Sequence, residues 1–528
     1  MSVSSRSVLD NVTLPHSALY KGRFGRIFRN LEKWAPPLQP GDPARLPDSV
    51  VVDRLRKFAT DEMSESDPPP AMDNDKIPAG YTYFGQFVDH DITFDPTSSL
   101  ERANDPNKLN NFRTPRLDLD CLYGEGPSDE PFMYDNKRGG MFLIGTVNEA
   151  GSSEPDLPRN SQGRALIGDM RNDENAIVSQ IQLSMLRLHN RILEELMFPA
   201  AMGTPAQAEF EMDGAKFAQA QRILRWFYQY VVWNDWVKKL IKDDLWNTLL
   251  ELKDGIYVCG NRFYKWKHQP FIPIEFSVAA YRFGHSMVRP GYQVNLNNDV
   301  GLGFGVEKPI FNPDGTGAND LRGFRFFQHK HTVQWDWFFE FQSSGSPFPQ
   351  PTRKIDPKLS SAIFKVGEGP KNPDEGGEKV NHLAFLNLLR SWRIGLPTGT
   401  AVARRMGFDP ITITDGHEDT LWHYILKEAR AMPGANSGKM LGNVGGTIVG
   451  EVFAGLLFGD PRSYVKIDPN WTPADEPALT AIFEQERAGG PTTTPELGGD
   501  WQVADLLRAA GAPVDGADVA ATIATGAN

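Results

Sequence analysis

A short segment over residues 83–96 carries a histidine between two aspartates inside an otherwise apolar sequence. It reads YFGQFVDHDITFDP and contains Gln86, Asp89, His90 and Asp91. If the segment is helical, Gln86 and Asp89 share one face with His90, and Asp91 points elsewhere. Such a face offers an imidazole for proton transfer, with a carboxylate left for a separate task.

A second segment, GDMRNDEN at residues 168–175, brings together an arginine and several acids. Arg171 and Glu174 are three residues apart and share a face if the segment opens a helix. Asp173 and Glu174 would then also suit the positive end of the helix dipole, which is the plain structural explanation for them. An arginine beside an apolar helix start can serve as a fixed cation.

Two further segments add a second histidine and an asparagine. In AAYRFGHSMV, residues 279–288, His285 follows Gly284, and Arg282 lies one turn earlier. In FLNLLRSWRIGLPTG, Asn387 interrupts an apolar run. A buried asparagine needs a hydrogen-bond partner, and a histidine Nδ1–H is a suitable one. Two helical histidines, one with acidic neighbours and one in an apolar setting, could furnish a haem pocket.

The elements that must position these residues are mostly helices. Apolar residues recur at three-to-four spacing along residues 172–197, which predicts a long amphipathic helix. Helical patterns also cover residues 215–241, 276–289, 381–393, 418–431 and 444–458. Strand-like alternation is weak throughout, so the fold class is mainly α. We expect an N-terminal arm over residues 1–70, the main domain over 71–470 and a C-terminal extension over 471–528.

Composition excludes several classes of partner. The net charge of −12 and the pI of about 5.4 argue against nucleic acid, which favours basic surfaces. The sequence contains no run of about 18 apolar residues, so no membrane-spanning helix is predicted. The first residues show no secretory signal, so we expect a cytoplasmic protein or one exported without such a signal. The two cysteines, Cys121 and Cys259, cannot form a disulfide framework. Protein partners and oligomeric state are not readable from the sequence.

The four segments, in this order, resemble the animal-type haem peroxidases of the peroxidase–cyclooxygenase superfamily. The resemblance covers about residues 80–460 and is carried by FGQFVDHDITF, DMRNDE, YRFGHSMVRP and LNLLRSWRIGLP. It implies a myeloperoxidase-like helical domain around a buried haem, with few short strands. The small number of cysteines makes the chain more similar to a compact bacterial member than to the secreted animal enzymes.

The resemblance implies a role for each residue of the pocket. His90 would be the distal base, Arg171 the distal cation and Gln86 a donor in the pocket. His285 would be the proximal ligand of the haem iron, and Asn387 its hydrogen-bond partner. All five residue types agree with the chemistry expected from the segments themselves.

Three more residues would contact the haem b itself. Arg282 would meet a propionate, and Asp89 and Glu174 occupy the positions whose carboxylates are esterified to haem in the mammalian relatives. Both acids are present, so an ester can form at each. The methionine that makes a third link in myeloperoxidase is replaced by Asn175, so we expect no such link.

The resemblance also implies a calcium site next to His90. Asp91 matches its first ligand, and the loop TPRLDLDCLYG supplies Thr114, Arg116 through its carbonyl, Asp118 and Asp120. Alternate residues of an extended loop can direct oxygens at one hard cation. Without the resemblance, the same loop would be interpreted as an acidic surface turn.

The implied activity is that of a haem peroxidase active in the response to oxidative stress. It would use hydrogen peroxide to oxidise small organic donors, halides or thiocyanate through a ferryl intermediate. One alternative is a haem dioxygenase acting on fatty acids. Against it, the catalytic tyrosine three residues before the proximal histidine is Arg282 here, and Tyr281 is expected to face away. Another alternative is a non-catalytic haem- or calcium-binding adhesion module, although His90 and Arg171 are both retained.

Overall fold

Helices make up most of the regular structure, so the mainly α prediction is confirmed. The computed structural model describes residues 24–38, 40–65, 73–94, 111–199, 209–295, 307–311, 319–341, 349–364, 382–413, 419–486 and 494–514. The α-helices of these ranges are α1 (Asp48–Glu62), α2 (Gly80–Ile92), α3 (Asp120–Tyr123), α4 (Ala176–Met197), α5 (Gly214–Val231), α6 (Lys238–Leu240), α7 (Asp243–Leu249), α8 (Leu383–Ile394), α9 (Gly399–Met406), α10 (Leu421–Arg430), α11 (Asn443–Gly459), α12 (Tyr464–Ile467), α13 (Pro477–Glu486) and α14 (Val503–Ala509).

Within the same ranges, the strands are short and pair only two by two. They are β1 (Ser64–Glu65), β2 (Asp73–Pro78), β3 (Gly145–Thr146), β4 (Pro155–Asp156), β5 (Leu250–Lys253), β6 (Ile256–Cys259), β7 (Gly291–Tyr292), β8 (Lys308–Pro309), β9 (Pro351–Arg353) and β10 (Leu359–Ser360). β1 pairs with β10 in parallel, whereas β2 with β9, β3 with β4, β5 with β6 and β7 with β8 are antiparallel. These small sheets join distant segments rather than build a layer.

Helix α4 lies at the centre of the helical packing. It contacts α2 and α5, and the C-terminal helices α13 and α14 also pack on it. The Asn175 side chain caps its N-terminus by accepting from the backbone N–H groups of Ile177 and Val178 at 3.2 and 2.9 Å. The predicted helix over 172–197 is thus confirmed from Ala176 onward, and a separate 3-10 turn, Met170–Asp173, precedes it.

The other predicted helices are present with local differences. The pattern over 215–241 forms α5, a π-helical turn at Val232–Val237 and α6. The pattern over 276–289 is not an α-helix, because a π turn, Glu275–Ala279, passes directly into a 3-10 turn, Ala280–Met287. The predictions over 381–393, 418–431 and 444–458 correspond to α8, α10 and α11, although residues 381 and 418 lie outside the described ranges.

A buried carboxylate fixes the start of the segment that carries His285. Glu275 is fully buried and accepts from the backbone N–H groups of Ile27 and Phe28 at 3.1 and 3.0 Å. Helix α8 packs on the same π turn and also on α1. The N-terminal segment, α1 and α8 therefore support one side of the site. In the described part of the chain, no helix combines the length and hydropathy needed to cross a membrane.

Candidate functional site

Both histidines selected from the sequence line one cavity of about 450 Å³. Its wall is formed by α2, the 3-10 turn before α4, the π and 3-10 turns before residue 288, and α8. Site residues on it include Gln86, Asp89, His90, Arg171, Glu174, Arg282 and His285. A cavity of this volume is within the range that binds small molecules and cofactors.

The His90 imidazole is buried and held through its Nδ1 atom. His90 Nδ1 lies 2.7 Å from Oδ1 of Asn172. An amide oxygen only accepts hydrogen bonds, so with Oδ1 facing the ring a proton on Nδ1 would leave Nε2 as a lone-pair base. Burial, together with the nearby Arg171 charge, lowers the pKa of His90 to about 4. The ring is therefore neutral and able to accept a proton at Nε2.

Arg171 is clamped beside this imidazole by a carboxylate that the sequence analysis did not select. Its Nε and Nη2 donate to the two oxygens of Asp169 at 3.1 and 2.7 Å. Nη2 also donates to the backbone carbonyl of His90 at 3.0 Å, and the guanidinium lies 4.6 Å from the centre of the Phe94 ring. Burial opposes ionisation of Asp169, but Arg171 and Arg113 outweigh it and lower the carboxyl pKa. The cation is thus fixed in place.

The two acids predicted to reach a cofactor both line the cavity. Glu174 is hydrogen-bonded by Gln86 Nε2, and Asn175 Nδ2 donates to Gln86 Oε1 at 3.2 Å. Burial raises the pKa of Glu174 to about 7, while Arg171 opposes this. Asp89 Oδ1 accepts from the Thr93 hydroxyl at 3.0 Å. Since Glu174 precedes the cap residue Asn175, the helix-dipole explanation does not apply to it.

His285 is the second imidazole of the cavity, and Asn387 contacts it as predicted. Asn387 Nδ2 lies 2.8 Å from His285 Nδ1. If the amide is turned by half a rotation, its oxygen accepts Nδ1–H and the Nε2 lone pair is available to a metal. Burial, with Arg282 and then Arg390, lowers the pKa of His285 to about 3. Arg282 donates from Nε to the Ser277 carbonyl at 3.0 Å.

The wall next to His285 leaves room for a flat group. A Cβ placed on Gly284 would meet nothing within 4 Å, and Gly284 lines the cavity. The two arginines beside His285, Arg282 and Arg390, also line it and suit anionic substituents. The neutral imidazole, the open glycine and the two cations together fit the haem that the sequence resemblance implies.

The expected orientation of Tyr281 was wrong. Tyr281 lines the cavity, and its hydroxyl accepts from Trp236 Nε1 at 2.9 Å. Its ring is stacked on Phe276 with centroids 4.9 Å apart. The prediction assumed regular α-helical spacing, whereas the backbone breaks at Ala279 (φ −127°, ψ −71°) and continues as a 3-10 turn. Consecutive residues of this turn therefore reach the same cavity.

Three acids predicted to bind a cation converge behind His90. Oxygens of Asp91, Asp118 and Asp120 all lie within 4.8 Å of one another, and the three residues are buried. Thr114 joins them, since its hydroxyl donates to Asp118 at 2.8 Å and its N–H to Asp120 at 3.2 Å. Burial, with the Asp118 charge, raises the pKa of Asp91 to about 8. The residues therefore form a buried acidic cluster and not an exposed acidic turn.

Arginines surround this cluster but contact its carboxylates loosely. Arg113 Nε lies 3.6 Å from Asp120, and Arg462 Nη2 lies 3.7 Å from Asp118. The guanidinium of Arg116 lies 3.9 Å from Asp460. The Leu119 N–H and the Tyr228 hydroxyl lie beside the Asp91 carboxylate and lower its pKa, but burial and the Asp118 charge outweigh them. A small cation with several oxygen ligands would compensate these charges.

The sequence analysis missed Asn172, Asp169 and Arg390. Asn172 and Asp169 lie within the quoted segment GDMRNDEN, and Arg390 lies three residues after Asn387 in α8. Arg390 could have been found from that spacing, because residues three apart share a helix face. The partners of Asn172 and Asp169 depend on how the 3-10 turn packs against α2, and no periodicity of the sequence encodes that contact.

Comparison with protein families gives a match over residues 99–326 to the model described as animal haem peroxidase. A peroxidase-like protein of Margaritifera margaritifera is 24% identical over 399 residues, which are 63% of this chain and 45% of that protein. The chain thus spans less than half the length of this curated relative.

Solved structures with a similar fold come from two kinds of enzyme. Peroxidase A from Dictyostelium discoideum has a TM-score of 0.52 at 16% identity, covering 84% of this chain and 91% of that structure. Fatty acid alpha-dioxygenase from Arabidopsis thaliana has a TM-score of 0.57 at 16% identity, covering 94% and 84%. At this identity, the similarity establishes a shared fold alone.

The open space beside Gly284 gives a test of the cavity as a cofactor site. Gly284→Leu should abolish the binding of hemin, because the new side chain fills space that a flat ligand would need. The thermal unfolding of the haem-free chain should change little, since the added Cβ meets no protein atom. Hemin titration followed by absorption measures the first effect and calorimetry the second. The matched control, Gly499→Leu, adds the same side chain at an exposed position, and equal hemin binding by both variants would contradict the assignment.

Proposed function

We propose that this chain, which matches the animal haem peroxidase model over residues 99–326, is a haem-dependent oxidoreductase of that family using hydrogen peroxide. Its reducing substrates would be small organic donors, halides or thiocyanate. One observation carries the proposal. A neutral buried imidazole, His90, has its Nε2 lone pair available in a cavity where the clamped cation Arg171 also lies.

On the distal side, His90 would transfer one proton and Arg171 would stabilise one developing negative charge. His90 Nε2 takes the proton from one oxygen of hydrogen peroxide and returns it to the other, which leaves as water. Arg171 stabilises the negative charge that grows on the departing oxygen. Because Asp169 already holds the guanidinium, no reorganisation of this cation is needed during the step.

The proximal residues would hold the cofactor. Haem, when bound, supplies an iron centre that takes up oxidising equivalents from peroxide and passes them to a donor. His285 would bind the iron through Nε2, and Asn387 would accept from its Nδ1–H. Arg282 and Arg390 would pair with the propionates. An amide partner adds no negative charge to the imidazole, which favours a high iron potential.

Replacement of the distal base should separate haem binding from peroxide chemistry. In His90→Ala, hemin should still bind, but the rate of the peroxide-induced change in the Soret band should fall by about 100-fold or more. Stopped-flow absorption with hydrogen peroxide measures this rate. His268→Ala, which removes an exposed imidazole, is the matched control. A haem-loaded wild type that does not respond to peroxide would overturn the proposed activity.

We also propose that Asp89 and Glu174 can form ester links to the haem during turnover. Both carboxyls line the cavity, and the pKa of Glu174, about 7, leaves part of it protonated near neutral pH. After exposure to peroxide, acidified organic solvent should extract less haem from the wild type than from an Asp89→Asn, Glu174→Gln double variant. Complete extraction from the peroxide-treated wild type would contradict the proposal.

The buried acidic cluster is proposed to bind calcium. The ligands would be Asp91, Asp118, Asp120, the Thr114 hydroxyl and the Arg116 carbonyl. Support comes from the three buried carboxylates, whose oxygens lie within 4.8 Å of one another. Calcium favours several oxygen ligands of this kind.

Removal of calcium should destabilise the folded protein. A chelator should lower the thermal midpoint, because a ligand present at 100-fold its Kd stabilises by about 2.7 kcal/mol. Added calcium should restore the midpoint, and Asp120→Asn should show a smaller response. Asp75→Asn, at an exposed carboxylate, serves as the control. A wild type that retains no calcium by elemental analysis and ignores the chelator would exclude the site.

A fatty-acid dioxygenase is the second candidate, and Tyr281 favours it. Tyr281 lines the cavity, and its hydroxyl is held by Trp236. If the chain is a fatty-acid dioxygenase, it should consume dioxygen when given a long-chain fatty acid, and Tyr281→Phe should lose that oxygen uptake. An oxygen electrode measures it. Peroxide reactivity without any fatty-acid-dependent uptake would exclude this candidate.

A further inference from the structure

Two buried amides extend the hydrogen bond of His90 away from the cavity. Asn172 presents Oδ1 to His90 Nδ1 at 2.7 Å. On its other side, Asn172 Nδ2 donates to Oε1 of Gln182 at 2.9 Å. Both amide side chains are fully buried. The three residues belong to three elements: α2, the 3-10 turn before α4, and α4 itself.

The direction of these bonds decides which nitrogen of His90 is the base. A neutral imidazole carries one proton, and its other nitrogen accepts. Asn172 Nδ2 donates to Gln182 Oε1, and Asn172 Oδ1 then faces the ring. With an oxygen opposite Nδ1, the proton resides there and Nε2 remains a base. If the Asn172 amide were reversed, its N–H would occupy Nδ1 and the proton would lie on Nε2.

We propose that Asn172 and Gln182 are positioning residues that fix His90 in the tautomer with Nδ1 protonated and Nε2 available as the base. The catalytic meaning of this role rests on the proposed function, since His90 would be the proton acceptor for peroxide. Gln182 acts only through Asn172. A tautomer held in this way needs no charged partner, and the imidazole stays neutral inside a buried site.

The location of Gln182 supports a dedicated role. It lies in α4 between Ile181 and Leu183, both of which are buried apolar residues. An amide on this buried helix costs desolvation free energy unless it is hydrogen-bonded. Its Oε1 accepts from Asn172 Nδ2, which is the hydrogen bond through which it would act on Asn172.

The first test reads the tautomer directly. Nitrogen-15 NMR of the full-length chain with labelled histidine distinguishes protonated from unprotonated ring nitrogens, and His90→Gln assigns the resonances. The haem-free chain and the chain loaded with diamagnetic gallium protoporphyrin are both measured. In the wild type, Nδ1 of His90 should be protonated and Nε2 unprotonated. In Asn172→Leu and in Gln182→Leu, the Nε2-protonated form should become populated.

The second test uses cyanide as a probe of the base. Hydrogen cyanide must lose its proton when it binds to ferric haem, and His90 would accept it. The association rate constant should fall by about tenfold or more in Asn172→Leu, and in the same direction in Gln182→Leu. Gln221→Leu is the matched control, because it also removes a fully buried amide, from α5 and outside the cavity lining.

The outcomes test the positioning role of Asn172 and Gln182 separately from the proposed peroxide chemistry. A wild-type His90 protonated at Nε2, or an unchanged tautomer in both leucine variants, overturns the positioning role. If Asn172→Leu does not fold, Gln182→Leu decides, since Gln182 does not contact His90. A wild type without peroxide reactivity would refute the proposed function, while the NMR result on the haem-free chain would still decide the tautomer.

Discussion

The buried carboxylate of Asp169 connects Arg171, on the cavity wall, with the buried acidic cluster. Its side chain is fully buried and contacts Arg171 through both oxygens. It also receives a hydrogen bond from Arg113 Nη2, and Arg113 Nε lies 3.6 Å from Asp120 of the acidic cluster. Breaking a buried ion pair by removing one partner costs about 3–5 kcal/mol, because the other charge is left uncompensated. Arg171 and the buried acidic cluster are therefore parts of one charge network.

This network explains why the acids around His90 have separate tasks. Asp91 is next to His90 in the chain, but its carboxylate lies among the acids behind the helix, while Asp89 lines the cavity. Successive residues of a helix differ in direction by about 100°, so Asp89 and His90 reach the cavity wall whereas Asp91 points to the buried acidic cluster. The pattern of acid, histidine and acid in α2 therefore reflects a helix that lies between the cavity and the buried acidic cluster.

The sequence predicted the parts of the site that follow from helical spacing. Gln86, Asp89 and His90 share the cavity wall because they lie at i, i+3 and i+4 in a helix that forms as expected. Spacing failed at Tyr281, because the backbone there forms π and 3-10 turns whose direction depends on packing against α8 and α11. Residue chemistry suggested a histidine as the partner of a buried Asn387, and the family resemblance identified that histidine as His285.

Amide groups, not carboxylates, contact the Nδ1 atoms of both imidazoles in the cavity. Asn172 lies opposite His90, and Asn387 lies opposite His285. A carboxylate in either place would stabilise the imidazolium and oppose the effect of burial, which lowers the pKa of both histidines. An amide orients the ring and adds no net charge, so the proposed base His90 and the proposed metal ligand His285 can coexist as neutral imidazoles in one cavity. The negative charge that Arg171 requires is supplied separately by Asp169.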